Sequence, residues 1–248
     1  MSVSKVSEWI RPSTLTDEIG SYVTTRSGAK DTLEAIINAF DWMAHLEINQ
    51  SFAKKTSGEL ELVKQGLAVP GFFSELNTMR REIQHWSNSD DPDATRRVIS
   101  SALLCVVQGS ESVQFLDASK IYHIGKAMKP VLTAFWGALF LLGGGGFFWQ
   151  IGRAETLNKE IDETKNLEYK NILKHKVQHA YLSVLQNVTM IAMASICLIS
   201  ILFSSMAQGF IFNPVVMIGL GSAWLMLEFV TYFYDKMIDH WDKELKIF

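Results

Sequence analysis

Few residues in this chain have the types and spacing that chemistry requires, and most of them occur singly. Two histidines, His175 and His179, are four positions apart and share one face of a helix, a spacing that metal ligands use. No third ligand is evident nearby, and Lys174 and Lys176 beside them disfavour a bound cation. The sequence therefore predicts no metal site, and these histidines are expected at the surface or at the level of lipid headgroups.

Glu228 is the one acidic residue inside a predicted membrane span. A carboxylate in a span is a functional candidate, because placing its charge in hydrocarbon is costly. It lies about five residues from the expected helix end, roughly 8 Å at 1.5 Å per residue. Two interpretations stay open: the side chain reaches the interface, or it takes part in proton relay or ion conduction.

Motifs for common enzyme chemistry are absent from the sequence. There is no Walker loop, dinucleotide-binding glycine pattern, Gly-x-Ser-x-Gly or His-Glu-x-x-His. Cys105 and Cys197 are too few for a disulfide framework or a cysteine-rich zinc module. A net charge of −3 argues against a nucleic-acid partner, which would need a basic surface. We expect no enzymatic activity and no cofactor.

The distribution of charged residues defines the elements that would hold these side chains. The chain has 248 residues, is 48% hydrophobic and has a mean hydropathy of +0.11, which is unusual for a soluble enzyme. Positions 177–227 contain no Lys, Arg, Asp or Glu, which is long enough for two crossings of about 20 residues each. We place the spans near 182–203 and 211–233, joined by a short polar turn, so that they form a transmembrane helical hairpin.

An earlier uncharged segment, residues 130–152, contains four consecutive glycines at 143–146. Each glycine costs roughly 1 kcal/mol of helix propensity relative to alanine. The segment is able to span, to kink midway or to lie in the interface. Basic residues place the linker 153–176 and the C-terminus in the cytosol, whereas a spanning segment would put the lysines of 120–129 on the other side.

The N-terminal region is predicted as helices separated by breaks, and the fold as all-α. Apolar residues recur at helical spacing over 31–48, 59–67 and 72–86, and a loop is expected over 87–93. A further apolar segment, 98–107, is expected to be interrupted by Gly109-Ser110. The predicted divisions are a helical region 1–129, an apolar segment 130–152, a charged helical linker 153–181, a hairpin 182–234 and a polar tail 235–248.

One apolar stripe with two adjacent arginines has two interpretations. It is either the buried face of a helix in a bundle, or a face that lies on the membrane with Arg80 and Arg81 at the headgroups. The second arrangement would expand one leaflet and favour curvature. The residues of this stripe are Phe72, Phe73, Leu76, Met79, Arg80, Arg81, Ile83 and Trp86.

Small residues in the last predicted span indicate close helix packing. Gly219 and Ala223 form a small-xxx-small pair, and Gly221 lies between them. Such a pair lets two helix backbones approach closely, either within the hairpin or between two copies of the chain.

Four motifs follow one another along the chain. Thr25-Arg26-Ser27-Gly28-Ala29-Lys30-Asp31 precedes an apolar helix, and Leu76-Asn77-Thr78-Met79-Arg80-Arg81 lies in an amphipathic one. Gln114-Phe115-Leu116-Asp117 is followed by Gly125-Lys126, and Ile218-Gly219-Leu220-Gly221-Ser222 lies in the last span. In order and approximate spacing they resemble the peroxin eleven family, whose members elongate peroxisomes and help to divide them. The resemblance implies a peroxisomal membrane and membrane-fission factors as partners.

The leading hypothesis is a non-enzymatic integral membrane protein that shapes the lipid bilayer and self-associates. Two alternatives stay open. The first is a membrane interaction protein, such as an inclusion-membrane protein of an intracellular bacterium. The second is a small channel or transporter, in which Glu228 and the glycines at 143–146 would line a path.

Overall fold

The computed structural model describes residues 12–88, 91, 93–203 and 214–245. It is 91% helical and has no strand among these residues, which confirms the all-α prediction. The helices are α1 Pro12–Thr24, α2 Arg26–His45, α3 Gln50–Gly66, α4 Ala68–Asn88, α5 Ala94–Ala118, α6 Met128–Glu163, α7 Leu167–Leu202 and α8 Pro214–Leu245, with a 3₁₀ turn at Gly125–Ala127.

Four of the described helical segments are long and apolar enough to cross a membrane. Leu167–Leu202 and Val215–Lys243 cover most of the two predicted spans, 182–203 and 211–233, and Gly125–Glu163 contains the apolar segment 130–152, whose crossing the sequence left open. The fourth is Ala94–Ala118, which the sequence predicted only as a buried helix. The expected turn of the hairpin, 204–213, lies outside the described residues. In length and composition of its helices the chain is a membrane protein.

Helix α6 continues without interruption through the four glycines. Its 36 residues extend about 54 Å, compared with about 30 Å for a hydrocarbon core. A continuous helix satisfies every backbone group within the segment, which outweighs the low propensity of glycine wherever water is excluded.

Two local expectations were wrong, and the secondary structure of a third segment, the polar tail, had been left open. Helix α5 runs through Gly109-Ser110, and Gly109 lies against the ring of Phe72, so this glycine permits close packing and does not end the helix. The charged linker is not one helix: it breaks at 164–166, where the Asn166 side chain accepts the amide of Glu168 at 3.0 Å and so caps α7. The polar tail is helical as far as Leu245.

The contacts of the chain divide it into two compact units whose limits differ from the predicted divisions. The first unit comprises Met1–Thr32, Gly144–Thr189 and Ser222–Phe248, and the second comprises Leu33–Gly143 and Met190–Gly221. The core of the first unit contains Ile172 of α7 with Met237, Ile238 and Trp241 of α8, all buried. These residues explain why α8 continues past the apolar span: its last turns have a buried face.

In the second unit, polar side chains join α2 to α3. Lys64 of α3 lies between Glu34 of α2 and Glu61 of its own helix, and these two carboxylates raise the pKa of its ammonium group. A second contact joins the two helices, since the Ser57 hydroxyl in the middle of α3 donates to Asp41 of α2 at 2.5 Å.

Candidate functional site

The predicted membrane stripe lies on α4, which pairs with α5 as an antiparallel hairpin. Arg97 of α5 lies 2.9 Å from the Glu82 carboxylate and 2.7 Å from the carboxylate of Asp91, in the turn between the helices. The hydrogen bond from Arg97 holds the pKa of Asp91 below its usual range. The Trp86 indole donates to Thr95 at 3.0 Å, so side chains also join the two helices directly beside the turn.

The structure divides the predicted stripe between two surfaces. Ala68 and Gly71 are buried, and the ring of Phe72 lies over Gly109 of α5. Phe73, Ile83 and Trp86 are 62%, 43% and 53% exposed. The other members of the stripe follow the same division: Leu76 and Met79 are half-buried, whereas Arg80 and Arg81 are exposed.

The exposed residues Phe73, Arg80 and Ile83 of α4 share one face. With the half-buried Val69 and Leu76 they recur at intervals of four and three residues, which places all five in one row along the helix. The paired helix α5 also exposes large apolar side chains, namely Ile99, Leu104 and Val106. This amount of exposed apolar surface on one hairpin marks an interaction surface with lipid or protein.

Glu228 of α8 is part of a hydrogen-bonded polar cluster in the first unit. Gln186 of α7 donates its amide to Glu228 Oε2 at 3.2 Å. The Thr231 hydroxyl lies 3.4 Å from Gln186 Oε1, one turn further along α8. The Glu228 carboxylate is therefore oriented by a hydrogen bond from the neighbouring helix α7.

Near Glu228 lie two residues that the sequence did not connect with it. The Tyr22 hydroxyl donates to the Asp31 carboxylate, and both side chains are buried. The ring of Tyr22 packs against Phe229 and Tyr232 of α8, at centroid distances of 5.4 and 4.4 Å. Burial and the Asp31 carboxylate raise the pKa of Tyr22, and Glu228 contributes to the same effect.

The cluster thus consists of two hydrogen-bonded groups, Tyr22 with Asp31 and Gln186 with Glu228 and Thr231, and Glu228 influences Tyr22 through its charge. Gln186 could have been flagged from the sequence as an amide inside a span. Tyr22 and Asp31 carried no signal, because they lie about 200 positions from Glu228 and in a region of ordinary polarity.

The two histidines face α8, and His179 is buried, contrary to the expected surface position. His175 Nδ1 lies 2.6 Å from the Tyr234 hydroxyl, which donates to Gln178 Oε1 at 2.6 Å. The Nε2 atom of His179 is 3.8 Å from Asp235 Oδ1. In the part of the chain that the structure describes, no group of three or more His, Cys, Asp or Glu side chains is placed to hold a metal ion.

The glycines of the last span have different surroundings. Gly221 is buried, and a Cβ atom added there would lie at ordinary contact distance, 3.6 Å, from the Asn38 amide, so this position faces the interior of the chain. Gly219 has open space where a side chain would lie, and Ala223 is exposed. A closer approach than at Gly221 lies where Gly146 of α6 meets the Asn187 side chain of α7.

Comparisons with family models, with curated proteins and with solved structures find no match to this chain. The resemblance to the peroxin eleven family stays a prediction from motifs. The function is therefore argued from the geometry of the chain itself.

Proposed function

We propose that this protein shapes membranes without enzymatic activity, by inserting the α4–α5 hairpin into one leaflet of the bilayer that its long helices cross. The observation that carries this proposal is the exposed row of α4, in which Phe73 and Ile83 lie outward on the same face as Arg80. A helix with an apolar row and adjacent arginines binds at the boundary between headgroups and acyl chains.

Insertion of a paired hairpin changes the geometry of the proposed wedge. A single helix is about 10 Å wide, and two paired helices occupy about twice that width within one leaflet. Shallow insertion to about 5–10 Å adds area to that leaflet and none to the other. The membrane then curves so that the side that carries the protein becomes convex.

We assign α5 to the interface and not to the hydrocarbon core, although its length and composition would permit a crossing. Helix α4 packs alongside it and carries Glu75, Arg80, Arg81 and Glu82. Each charge of this kind at the centre of a bilayer costs about 2.5–3.5 kcal/mol even on the most lenient scale. The anchoring segments are then α6, α7 and α8.

The finer parts of the proposal follow from the family resemblance and from the last span. The resemblance favours a peroxisomal membrane, with membrane-fission factors as partners. Gly219 and Ala223 lie towards open space, which leaves them available for self-association of the protein in the membrane.

The test uses the full chain, expressed in cells beside organelle markers and reconstituted into vesicles for electron microscopy. Phe73→Glu/Ile83→Glu places two charges in the exposed row. The matched control is Asn77→Glu/Gln84→Glu, which adds the same charges to exposed polar positions of the same helix. We expect the wild type and the control to elongate membranes and the Phe73→Glu/Ile83→Glu variant to leave them round. Equal elongation by both double variants would refute the wedge.

A second candidate function, a small channel or transporter, is favoured by the polar cluster around Glu228. Gln186, Asp31 and Tyr22 supply the additional polar groups that a pathway for protons requires. Proteoliposomes that hold a pH gradient and a pH-sensitive dye test it. Proton flux that Glu228→Gln abolishes would support this function, and absence of flux in the wild type would remove it.

A further inference from the structure

The connection between α5 and α6 presents two large apolar side chains to the outside. Ile121 and Tyr122 are 68% and 66% exposed, more than the most exposed large apolar side chain of α4 and α5, Phe73 at 62%. They are adjacent in the sequence and lie in a turn, where no helix partner covers them. Exposure of this kind at a turn between helices has a cost in water and needs an explanation.

The turn is held in this conformation by its own hydrogen bonds. Lys120 has a left-handed backbone conformation, with φ of 61°, and its amide donates to the Asp117 carbonyl at 3.0 Å. The Tyr122 amide donates to the Leu116 carbonyl at 3.1 Å, which completes a C-terminal cap of α5. The Asp117 side chain accepts the amide of Ile124 at 2.8 Å. The two apolar side chains are therefore presented by a fixed backbone.

Three lysines lie within seven residues of Tyr122 in the sequence. Lys120, Lys126 and Lys129 are all exposed, and none of them forms an ion pair with another residue that the structure describes. The nearest acidic group of the turn, Asp117, is already engaged with Ile124 and with His123, whose Nδ1 lies 3.4 Å away. The turn thus combines an apolar tip with three available ammonium groups.

The position of the turn in the chain indicates what covers it. Helix α6 begins at Met128, and its uncharged run begins at Pro130. Tyr122 is therefore eight residues before the point where the chain enters the hydrocarbon core. Tyrosines and lysines at such positions lie among lipid headgroups.

We propose that residues 119–129 form a lipid-binding turn, in which Ile121 and Tyr122 insert into a leaflet rich in anionic phospholipid and the three lysines contact the lipid phosphates. This inference rests on the part of the proposed function that has α6 cross the membrane. It does not depend on the wedge. It adds the class of lipid that the protein recognises, because lysines close to a surface favour anionic over zwitterionic headgroups.

The experiment uses the full chain with Cys105 and Cys197 replaced by alanine, a single Tyr122→Cys change and an environment-sensitive fluorophore on that cysteine. The labelled protein is reconstituted into phosphatidylcholine vesicles with or without phosphatidylglycerol. Quenching by iodide reports exposure to water, and quenching by a lipid with a nitroxide near its headgroup reports insertion. Asn158→Cys, an exposed position in the polar end of α6, is the matched control.

We expect the label at residue 122 to be protected from iodide and quenched by the nitroxide lipid, more strongly when phosphatidylglycerol is present. Lys120→Gln/Lys126→Gln/Lys129→Gln should lower the preference for phosphatidylglycerol by roughly fivefold per lysine, and high salt should act in the same direction. Iodide quenching at residue 122 equal to that at residue 158 in both kinds of vesicle would overturn the proposal. Insertion that is the same with and without phosphatidylglycerol would overturn the lipid preference.

The same samples separate this inference from the proposed function. Phe73→Glu/Ile83→Glu should abolish elongation of the vesicles and leave insertion at residue 122 unchanged. If the lysine variant no longer inserts at residue 122 but still elongates the vesicles, lipid binding by the turn and membrane shaping by the hairpin are separate properties.

Discussion

At Gly146 the backbone of α6 comes so close to α7 that a side chain does not fit. A Cβ atom there would lie 2.5 Å from Oδ1 and 2.9 Å from Cγ of Asn187. The Asn187 amide is tied to the Ser183 carbonyl at 2.8 Å, which limits its movement. We expect Gly146→Ala to lower the free energy of unfolding by about 1–3 kcal/mol, measured by thermal unfolding in detergent.

The neighbouring glycine gives a matched control. A Cβ atom at Gly145 meets nothing within 4 Å, so Gly145→Ala should be neutral or should stabilise α6 by up to about 1 kcal/mol. Gly146→Ala/Asn187→Ala should recover part of the loss. Equal stability of the two single variants would show that α6 and α7 do not approach at this point.

A second prediction at the scale of single residues concerns the buried hydroxyl of Tyr22. Tyr22→Phe keeps the ring against Tyr232 and removes the donor to the buried Asp31 carboxylate. We expect a loss of about 1–3 kcal/mol in the free energy of unfolding, because a buried acceptor is left without this donor. Tyr181→Phe, at an exposed tyrosine of α7, should change stability little in the same denaturant series. A Tyr22→Phe loss no larger than that of the control would contradict the role of this hydrogen bond.

Sequence reasoning at this scale found single residues but not their partners. Glu228 was identifiable because one carboxylate stands out in an uncharged run. Its neighbours Asp31 and Tyr22 were not, since contact across such a sequence distance leaves no periodic signal. The glycines at 143–146 were treated alike as a cost to the helix, whereas the structure distinguishes Gly146, which has a neighbour, from Gly144 and Gly145, which have open space.

Among the helices, the α4–α5 hairpin depends on the contacts of Arg97, and these contacts should respond to pH. The lowered pKa of Asp91 means that its contribution to stability is present above the unfolded value near 3.9 and is lost as pH falls through the lower folded value. We expect amide hydrogen exchange over residues 84–100 to become faster, after correction for intrinsic rates, as pH falls below about 4.

Substitution of the arginine separates this effect from general acid denaturation. Arg97→Gln should speed amide exchange at neutral pH, because Asp91 then has no guanidinium to pair with. The further increase in exchange rate below about pH 4, called the acid step here, should be smaller in this variant. Arg81→Gln, at an exposed arginine of the same hairpin, should retain the acid step. An acid step of the same size in the Arg97→Gln variant would assign it to other carboxylates.

The sequence predicted the type of the helices better than their ends. The stripe of residues 72–86 lies within α4, as expected from its period. Gly109-Ser110 was taken as a break because glycine lowers helix propensity, but the packing of Phe72 against Gly109 stabilises the helix at that point. The tail after Phe233 was judged by its charges, whereas Met237, Ile238 and Trp241 recur at helical spacing and form a buried face.

For the whole molecule, changes in composition did not locate the compact units. The predicted division after residue 129 was placed where the uncharged segment begins, and so it was based on polarity alone. The contacts instead group Met1–Thr32 with Gly144–Thr189 and Ser222–Phe248. The contacts of Tyr22 with Phe229 and Tyr232 are the kind that make this grouping, and no property of a single segment reveals them.

The number of crossings decides which leaflet the hairpin acts on, and cysteine labelling can determine it. If α6, α7 and α8 all cross, Lys126 lies on one side of the membrane, and Lys165 and Asp239 lie on the other. In a chain with Cys105 and Cys197 replaced by alanine, we expect an impermeant maleimide to label Lys126→Cys from the opposite side to Lys165→Cys and Asp239→Cys. All three positions are exposed, so a difference in labelling reports sidedness and not burial.

Labelling of residues 126 and 165 from the same side would mean that α6 does not cross and lies along one surface of the bilayer, with the α7–α8 pair as the sole anchor. The expected outcome instead places the turn at residues 119–129 and the α4–α5 hairpin that precedes it at the same membrane surface. If the proposed wedge and the proposed lipid-binding turn both insert, Phe73, Ile83 and Tyr122 enter the same leaflet, so their contributions to its area add and the direction of curvature is fixed.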